Sequence, residues 1–210
     1  MMPPERIAAS ELLKKENVSQ RHRFAERLAA GDVFVYPTET IYGIGGRCDV
    51  PDVYTRIITI KQRAPDNPMI LLGASVEIFE SLQLHWTPAA KKCAAAFWPG
   101  LLTLVLQSPD VPEGVAIRVS DHPVISTLGE YCSAPVFSSS ANISGESYDP
   151  DPDHIWETVG RQCDFMIDAG FLPPSSPSTV VRFDNDETFF VLREGCVSTA
   201  AIKQAVGNFV

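Results

Sequence analysis

The stretch SQRHRFAERLAAGDVFVYPTET, residues 19–40, contains a helix followed by a strand and sets the expectation for the fold. Phe24 and Leu28 are four residues apart and would lie on one face of a helix, with Ser19 as its predicted N-cap. Gly31 stands just past the end of that helix, a position where glycine commonly terminates one. The apolar run VFVY then predicts a buried strand, and PTET predicts a loop.

Beyond this unit, predicted helices and strands alternate to the end of the chain, without a repeat period or a low-complexity linker. This alternation predicts an α/β (α+β) fold with three layers around a twisted mixed β-sheet, and one domain over residues 1–210. The segment rich in Pro and Ser at 173–177 is predicted to be a loop. The glycines at 43, 45 and 46 are predicted to keep the backbone flexible after the PTET loop at 37–40. Further strands are expected near 69–72, 102–107, 115–119, 135–137, 165–168, 179–183 and 189–193; further helices are expected to start at Asp52, Ser75, Thr87, Pro123, Asp151 and Ser198.

Composition and charge are those of an ordinary globular protein with an acidic balance. Of 210 residues, 45% are hydrophobic and 20% are charged, and the net charge is −9. This charge argues against a general nucleic-acid-binding protein, although it permits a local basic pocket. The five cysteines form no CxxC pair, and no apolar run resembles a signal peptide or a membrane span. We therefore expect reduced cysteines and a cytoplasmic protein with no membrane partner.

The tripeptide Lys61-Gln62-Arg63 and the later Ser140-Ala141-Asn142 are the strongest candidates for a functional site. Two cations so close together repel each other unless an anion lies between them, so the pair suits a polyanion such as a nucleoside triphosphate. The alternative is a solvated helix end, because a K-x-R pair is common on protein surfaces. The apolar flanks and the following Pro-Asp-Asn-Pro turn favour the functional interpretation.

Two other segments allow two interpretations each. Arg118 alternates with apolar residues in VAIRV, so it either faces water from an edge strand or points inward towards a carboxylate or phosphate. The serines at 138–140 and Asn142 follow a predicted strand. They form either a plain turn or a polar nest at the end of a strand, where α/β sheets bind ligands.

Several common site motifs are absent from the sequence. A GxGxxG dinucleotide loop fails because Cys48 stands where the third glycine is required, and the GxxxxGK[ST], GxSxG and HExxH patterns do not occur. The four histidines show no spacing typical of metal ligands. The sequence thus predicts no site for a resident metal ion.

Seven strings, in chain order, are together more specific than any one of them. They are YPTETIYGIG (36–45), KQR with DNP (61–68), WPG (98–100), AIRV with HP (116–123), SANISG (140–145), PSTVV (177–181) and LREG (192–195). In this order they resemble the YrdC/TsaC-like family, the threonylcarbamoyl-AMP synthases. The resemblance extends over about residues 19–205.

The resemblance implies a YrdC-like fold and a nucleotidyltransferase activity. In that reaction L-threonine, bicarbonate or CO2, and ATP give threonylcarbamoyl-AMP and pyrophosphate. The product supplies the N6-threonylcarbamoyl group of adenosine 37 in tRNA (t6A37). The resemblance further implies Mg2+ entering with ATP, downstream tRNA threonylcarbamoyl-transfer proteins as partners, and the short single-domain form of the family. It leaves direct tRNA binding open.

The resemblance also assigns site residues. Lys61 and Arg63 would be catalytic, in a nucleotide site made of Lys61, Arg63, Asn67, Ser140, Asn142 and Arg193. Threonine or its carbamate would be held by Thr40, Arg118, Ser138 and Ser178. The alternatives are a non-catalytic RNA- or ribosome-binding module of the same fold, a carbamoyl-transfer domain like those of hydrogenase maturation, and a dihydroxybutanone-phosphate synthase.

Overall fold

A mixed β-sheet forms the centre of the computed structural model, which describes residues 3–14, 18–65, 67–184 and 188–207. Along the chain its strands are β1 (Glu5–Ala8), β2 (Phe34–Pro37), β3 (Tyr42–Gly45), β4 (Ile70–Gly73), β5 (Leu102–Leu106), β6 (Val115–Val119), β7 (Val136–Ser140), β8 (Phe165–Asp168), β9 (Thr179–Phe183) and β10 (Phe189–Arg193). In the sheet their order is β1-β8-β2-β3-β7-β4-β6-β5-β9-β10. The strands β4, β6 and β7 are therefore central, whereas β10 is an edge strand.

Helices connect the strands. They are α1 (Ala9–Leu13), α2 (Val18–Ala29), α3 (Val53–Lys61), α4 (Pro88–Phe97), α5 (Pro123–Gly129), α6 (Pro152–Thr158) and α7 (Thr199–Val206), with short 3-10 turns at Glu77–Leu82 and Gly160–Gln162. None of the helices in the described part of the chain is long and apolar enough to cross a membrane.

The N-terminal half of the sheet is covered on both faces, because successive side chains of a strand point to opposite sides. Phe34 and Tyr36 of β2 pack with apolar residues of α1, α2 and α5. Val35 of the same strand packs on the opposite face, with residues of α3 and α6. These two clusters fix the three layers that the sequence predicts, and the α/β prediction is confirmed.

In the C-terminal half of the sheet, one face packs against helices and the other face lines a cavity. Leu102, Leu104 and Leu106 of β5 pack with α4 and α7 in a third apolar cluster. Val105, which points to the other face, lines a cavity instead. The same alternation places apolar residues of β6 and β9 in the cluster and their neighbours at the cavity.

Several elements predicted for the later part of the chain are confirmed with their bounds. Strands β6, β8, β9 and β10 have the predicted limits. The hydroxyl of Thr87 caps α4 by accepting from the backbone N–H of Ala90, at 3.1 Å. The hydroxyl of Ser198 caps α7 by accepting from the backbone N–H of Ala201, at 3.2 Å.

Four local predictions are wrong. Ser19 lies inside α2, which already includes Val18, and Asp52 precedes α3 with a left-handed backbone (φ 69°) and no side-chain cap bond. The glycines at 43 and 45 belong to strand β3, because β2 and β7 supply its backbone hydrogen bonds on both sides. For the same reason β7 continues through Ser140, where the sequence predicted that the strand ends and either a plain turn or a polar nest follows.

Candidate active site

A cavity of about 560 Å³ lies over the central strands, on the face opposite α4 and α7. Its floor is formed by side chains of β4, β5, β6 and β9, and β7 lies at one end. Eight of the predicted site residues line it: Thr40, Arg63, Asn67, Arg118, Ser138, Ser140, Ser178 and Arg193. The sequence therefore identified residues that are distant along the chain and adjacent in the fold.

Arg118 points inward from the central strand β6 and is only 5% exposed. Of the two interpretations of Arg118, the one that it faces water from an edge strand is therefore wrong, and the one that it points inward is confirmed. Its Nη2 donates to the carboxylate of Glu39 at 2.6 Å, whereas its buried Nε has no hydrogen-bond partner among the described residues. A buried guanidinium N–H without a partner is costly, so this atom is a candidate donor to a ligand.

Arg193 is the second cation at this end of the cavity. Its Nε and Nη2 donate to the backbone oxygen of Ser178, at 3.2 and 2.9 Å, and Nη2 also lies 3.2 Å from the Ser178 hydroxyl. Burial, and then the positive charge of Arg118, lower the pKa of Arg193. Two guanidinium groups thus repel each other here, and a bound anion would relieve that repulsion.

Hydroxyl groups surround these two cations. The hydroxyl of Ser178 lies 2.9 Å from that of Thr103 on β5, and both are buried. Thr40 is also buried, with its hydroxyl 3.1 Å from that of Thr38. Thr38 in turn holds the turn at 38–41, because its hydroxyl donates to the Ile41 carbonyl at 2.8 Å. This end of the cavity therefore combines cations with orientable hydroxyl donors.

The C-terminus of α3 brings Arg63 to the other end of the cavity. Gln62 has a left-handed backbone (φ 50°), and the N–H of Arg63 returns to the Ile58 carbonyl at 2.9 Å, which ends the helix. The Arg63 guanidinium then donates to the carbonyl oxygens of Asn67 and Pro68, at 3.2 and 2.9 Å. Burial lowers the pKa of Arg63, and the cavity offers it no ion pair among the described residues.

Lys61 occupies a different position from Arg63. It is 1% exposed and does not line the cavity, and neither does Asn142. Its ammonium donates to the backbone oxygens of Ser140 and Asn142, the latter at 2.7 Å. Burial, and then the charge of Arg63, lower the Lys61 pKa to about 8. Lys61 therefore holds the backbone at the end of β7 from outside the cavity, and Ser140 lines the cavity.

The charge of the cavity is opposite to that of the whole chain. Four arginines line it, namely Arg63, Arg118, Arg182 and Arg193, against one carboxylate, Glu113. Within the described residues, no group of three or more His, Cys, Asp or Glu side chains is arranged to hold a metal ion. The arrangement suits an anionic ligand with more than one charged group.

Comparison with known protein families identifies the family of this chain. The family model Sua5/YciO/YrdC, described as telomere recombination, matches residues 26–195. The chain belongs to the Sua5/YciO/YrdC family. The resemblance drawn from seven short strings is thereby confirmed.

Individual members of the Sua5/YciO/YrdC family show how far the similarity extends. A threonylcarbamoyl-AMP synthase of Bacillus subtilis is 32% identical over 200 residues, 91% of this chain and 58% of that protein. A threonylcarbamoyl-AMP synthase of Pyrococcus abyssi is 32% identical over 207 residues, 91% of this chain and 61% of that protein. The chain thus spans about three fifths of the length of these relatives.

A solved structure of the same family confirms the fold. The crystal structure of P. abyssi Sua5 complexed with L-threonine has a TM-score of 0.85 and 28% sequence identity. The match covers 99% of this chain and 62% of that one.

Four residues of this Sua5/YciO/YrdC site were missed by sequence reasoning. Arg182, Glu113 and Thr38 line the cavity, and Glu39 stands behind it. The alternation of VVRF carried a signal for Arg182, because it points to the same face as Val180. Nothing in the sequence indicated the partner of Glu39, since that contact joins residues 79 positions apart.

Proposed function

We propose that this protein is a threonylcarbamoyl-AMP synthase, a nucleotidyltransferase acting on L-threonine, bicarbonate or CO2, and ATP. Its product would supply the threonylcarbamoyl group of t6A37 in tRNA through downstream transfer proteins. Family membership supports the proposal, as do the names of the B. subtilis and P. abyssi relatives and the L-threonine complex of P. abyssi Sua5.

The observation that carries the proposal is the pairing of two cationic ends in one cavity. Arg118 and Arg193 stand at one end, and Arg63 at the other. Strand β4 separates β6, which carries Arg118, from β7, which carries the serines, so these two strands are about 10 Å apart. Two anionic substrates can thus be bound side by side, as the reaction requires.

At the first end, the free Nε–H of Arg118 would bind the threonine carboxylate. The hydroxyl groups of Thr40 and Ser178 would then recognise the hydroxyl of threonine, with Ser138 completing the contacts. A pocket built to hydrogen-bond a substrate hydroxyl rejects analogues without it, since its own buried groups would be left unpaired.

At the second end, Arg63, Asn67 and Ser140 would bind the triphosphate, and Arg193 would reach it from the first end. Lys61 would act with Asn142 by keeping the end of β7 in place, from which Ser140 faces the ligand. Mg2+ would arrive as part of the substrate, coordinated by the phosphate oxygens of ATP.

The chemistry needs positioning more than covalent help from the protein. The neutral amine of threonine captures CO2 and loses a proton, which gives a carbamate. A carbamate oxygen then attacks the α-phosphorus in line, and the bond to pyrophosphate breaks. Bringing two anions together costs energy, which oriented guanidinium groups offset as charge moves to the leaving pyrophosphate.

The proposal is tested by measuring pyrophosphate release from the purified protein with ATP, Mg2+, bicarbonate and L-threonine. Each component is omitted in turn, and CO2-free buffer is used when bicarbonate is left out. Release that requires ATP, threonine and bicarbonate together is expected. Release from ATP alone, or no release, would contradict the proposal. RNA binding with a steep salt dependence would then favour an RNA-binding module.

A further inference from the structure

We propose that Glu39 is a positioning residue that holds Arg118 and Thr40 in one threonine site, an inference that rests on the proposed function. Glu39 lies in the loop between β2 and β3, and Arg118 lies on β6. In the sheet order, β7 and β4 stand between β3 and β6, so this contact ties together elements that are not neighbours.

Both carboxylate oxygens of Glu39 are engaged. Oε2 accepts from Arg118 Nη2 at 2.6 Å. Oε1 accepts from the Ser120 hydroxyl at 2.7 Å and from the backbone N–H of Asp121 at 2.9 Å. These three contacts fix the carboxylate against the end of β6, so the guanidinium has one defined place to donate to it.

Glu39 acts from outside the cavity. Among the described residues that line the cavity are Arg118 and Thr40, but not Glu39. Glu39 thus uses one terminal nitrogen of Arg118 and leaves the buried Nε–H without a protein partner. The donor that would remain for a substrate carboxylate is one that Glu39 does not use, so the effect of Glu39 on the substrate is an indirect one.

The same residue sets the position of a hydroxyl. Thr40 follows Glu39 directly, and its backbone N–H donates to the Thr38 hydroxyl at 3.2 Å. The loop is therefore tied at Thr38 on one side and at the end of β6 through Glu39. Releasing Glu39 would free Thr40 and Arg118 to move independently, and their separation is what a threonine site must hold constant.

Charge gives the ion pair a second role. Arg118 and Arg193 lie close enough for the charge of Arg118 to disfavour the protonated form of Arg193. Glu39 offsets part of this repulsion without entering the space for the ligand. Without it, Arg118 would be a buried cation with no ion pair among the described residues.

The experiment compares Glu39→Gln and Glu39→Ala with the wild type in the pyrophosphate-release assay. The expected result is a rise of about tenfold or more in the KM for threonine, because a misplaced contact can cost factors of this size, with a much smaller change in the KM for ATP. Arg118→Ala should raise the threonine KM as well. Adding Glu39→Ala to Arg118→Ala should then raise the KM by a smaller factor than Glu39→Ala does in the wild type, because the part of the effect that acts through Arg118 is already lost.

Asp164→Asn is the matched control. Asp164 is buried to a similar extent, accepts from Arg56 at 2.7 Å and from the backbone N–H of Val33 at 2.7 Å, and lies outside the cavity. This variant should lower the melting temperature and leave the threonine KM unchanged. If Glu39→Ala does not fold, Glu39→Gln, which keeps the shape of the side chain, carries the test.

The outcomes separate the two proposals. A wild type with threonine-dependent release and Glu39 variants with unchanged threonine KM would overturn the positioning role and leave the synthase proposal standing. Equal increases in the KM values for threonine and ATP would also overturn it, as would full additivity with Arg118→Ala. A wild type without threonine-dependent release would overturn the proposed function, and the inference with it.

Discussion

At the scale of single residues, the surroundings of Lys61 change its pKa. The Lys61 ammonium is buried against the backbone oxygens of Ser140 and Asn142, and burial followed by the charge of Arg63 lowers its pKa to about 8. In the unfolded chain the ordinary value is 10.5. Lys61 should therefore make stability depend on pH.

The direction of this dependence follows from which state holds the proton. Between pH 8 and 10.5 the unfolded chain keeps the Lys61 proton and the folded protein releases it. Raising the pH through this window therefore favours the folded state. The free energy of unfolding of the wild type, minus that of Lys61→Met, should rise by up to about 1.4 kcal/mol per pH unit.

Urea unfolding of both proteins at several pH values from 7 to 11 measures this difference, and the other titrating groups cancel because the two proteins share them. The difference should be flat below about pH 8, where Lys61 is protonated in both states. A difference that stays constant up to pH 11, or falls, would show that Lys61 keeps its proton in the folded protein.

The sequence indicates which residue types are candidates for the site, but it does not indicate which distant residues they contact. It indicated Arg118 as a candidate because an arginine among apolar neighbours needs an anion, the family strings added Ser178, and both residues line the cavity. It left the direction of Arg118 open and gave no role to Glu39, because both depend on a pairing over 79 residues. Local sequence does not encode which distant strand supplies a neighbour.

At the scale of elements, the same limit explains β3 and β7. Helix α4 has an N-cap, and strand β6 is rich in β-branched residues, so the local sequence favours each structure. Both were predicted correctly. Strand β3 contains two glycines, and β7 ends in three serines, so neither has a local preference for extended structure. They become strands because each supplies the hydrogen bonds that the other lacks.

The contact between the end of β10 and the start of β9 leads to a prediction about Gly195. A Cβ at this position would lie 2.0 Å from the backbone oxygen of Pro177 and 2.8 Å from the carbonyl carbon of Ser178. Backbone atoms cannot rotate away as side chains do. Gly195→Ala should therefore displace Ser178, raise the threonine KM several-fold and destabilise the protein by about 1–3 kcal/mol.

The assay for pyrophosphate release gives the KM, and urea unfolding gives the stability. Gly170→Ala is the control, since a Cβ there meets nothing within 4 Å and the positive φ of 74° alone costs about 1 kcal/mol. It should lose stability with no change in the threonine KM. If Gly195→Ala shows the same pattern as Gly170→Ala, Ser178 is not displaced or does not hold threonine.

At the scale of the whole molecule, the charge around the cavity is opposite in sign to the net charge of the chain. The chain carries −9, yet four arginines face one cavity. The composition argued against a general nucleic-acid-binding protein, but it could not show where a basic pocket lies. The fold concentrates the positive charge by placing strands from distant parts of the chain side by side.

This separation of charge predicts selective stabilisation by a small polyanion. Inorganic pyrophosphate, the proposed product, should raise the melting temperature, by about 2–4 °C for each kcal/mol of binding free energy expressed. Arg63→Ala should lose this shift while keeping nearly the same melting temperature without ligand, because among the described residues its guanidinium donates to two carbonyls and to the hydroxyl of Ser139 and forms no ion pair. The exposed Arg161, paired with Glu157 on the surface, supplies the control variant Arg161→Ala, which should keep the shift.

Sodium chloride at matched ionic strength separates binding in the cavity from general screening, because screening acts on the whole surface. Double-stranded RNA in place of pyrophosphate should produce no shift, since the net charge of −9 opposes its binding. An equal rise with sodium chloride, or a shift that survives Arg63→Ala, would show that the four arginines do not form the anion site. A shift with RNA that disappears steeply with salt would instead place a basic surface outside the cavity and favour the RNA-binding alternative.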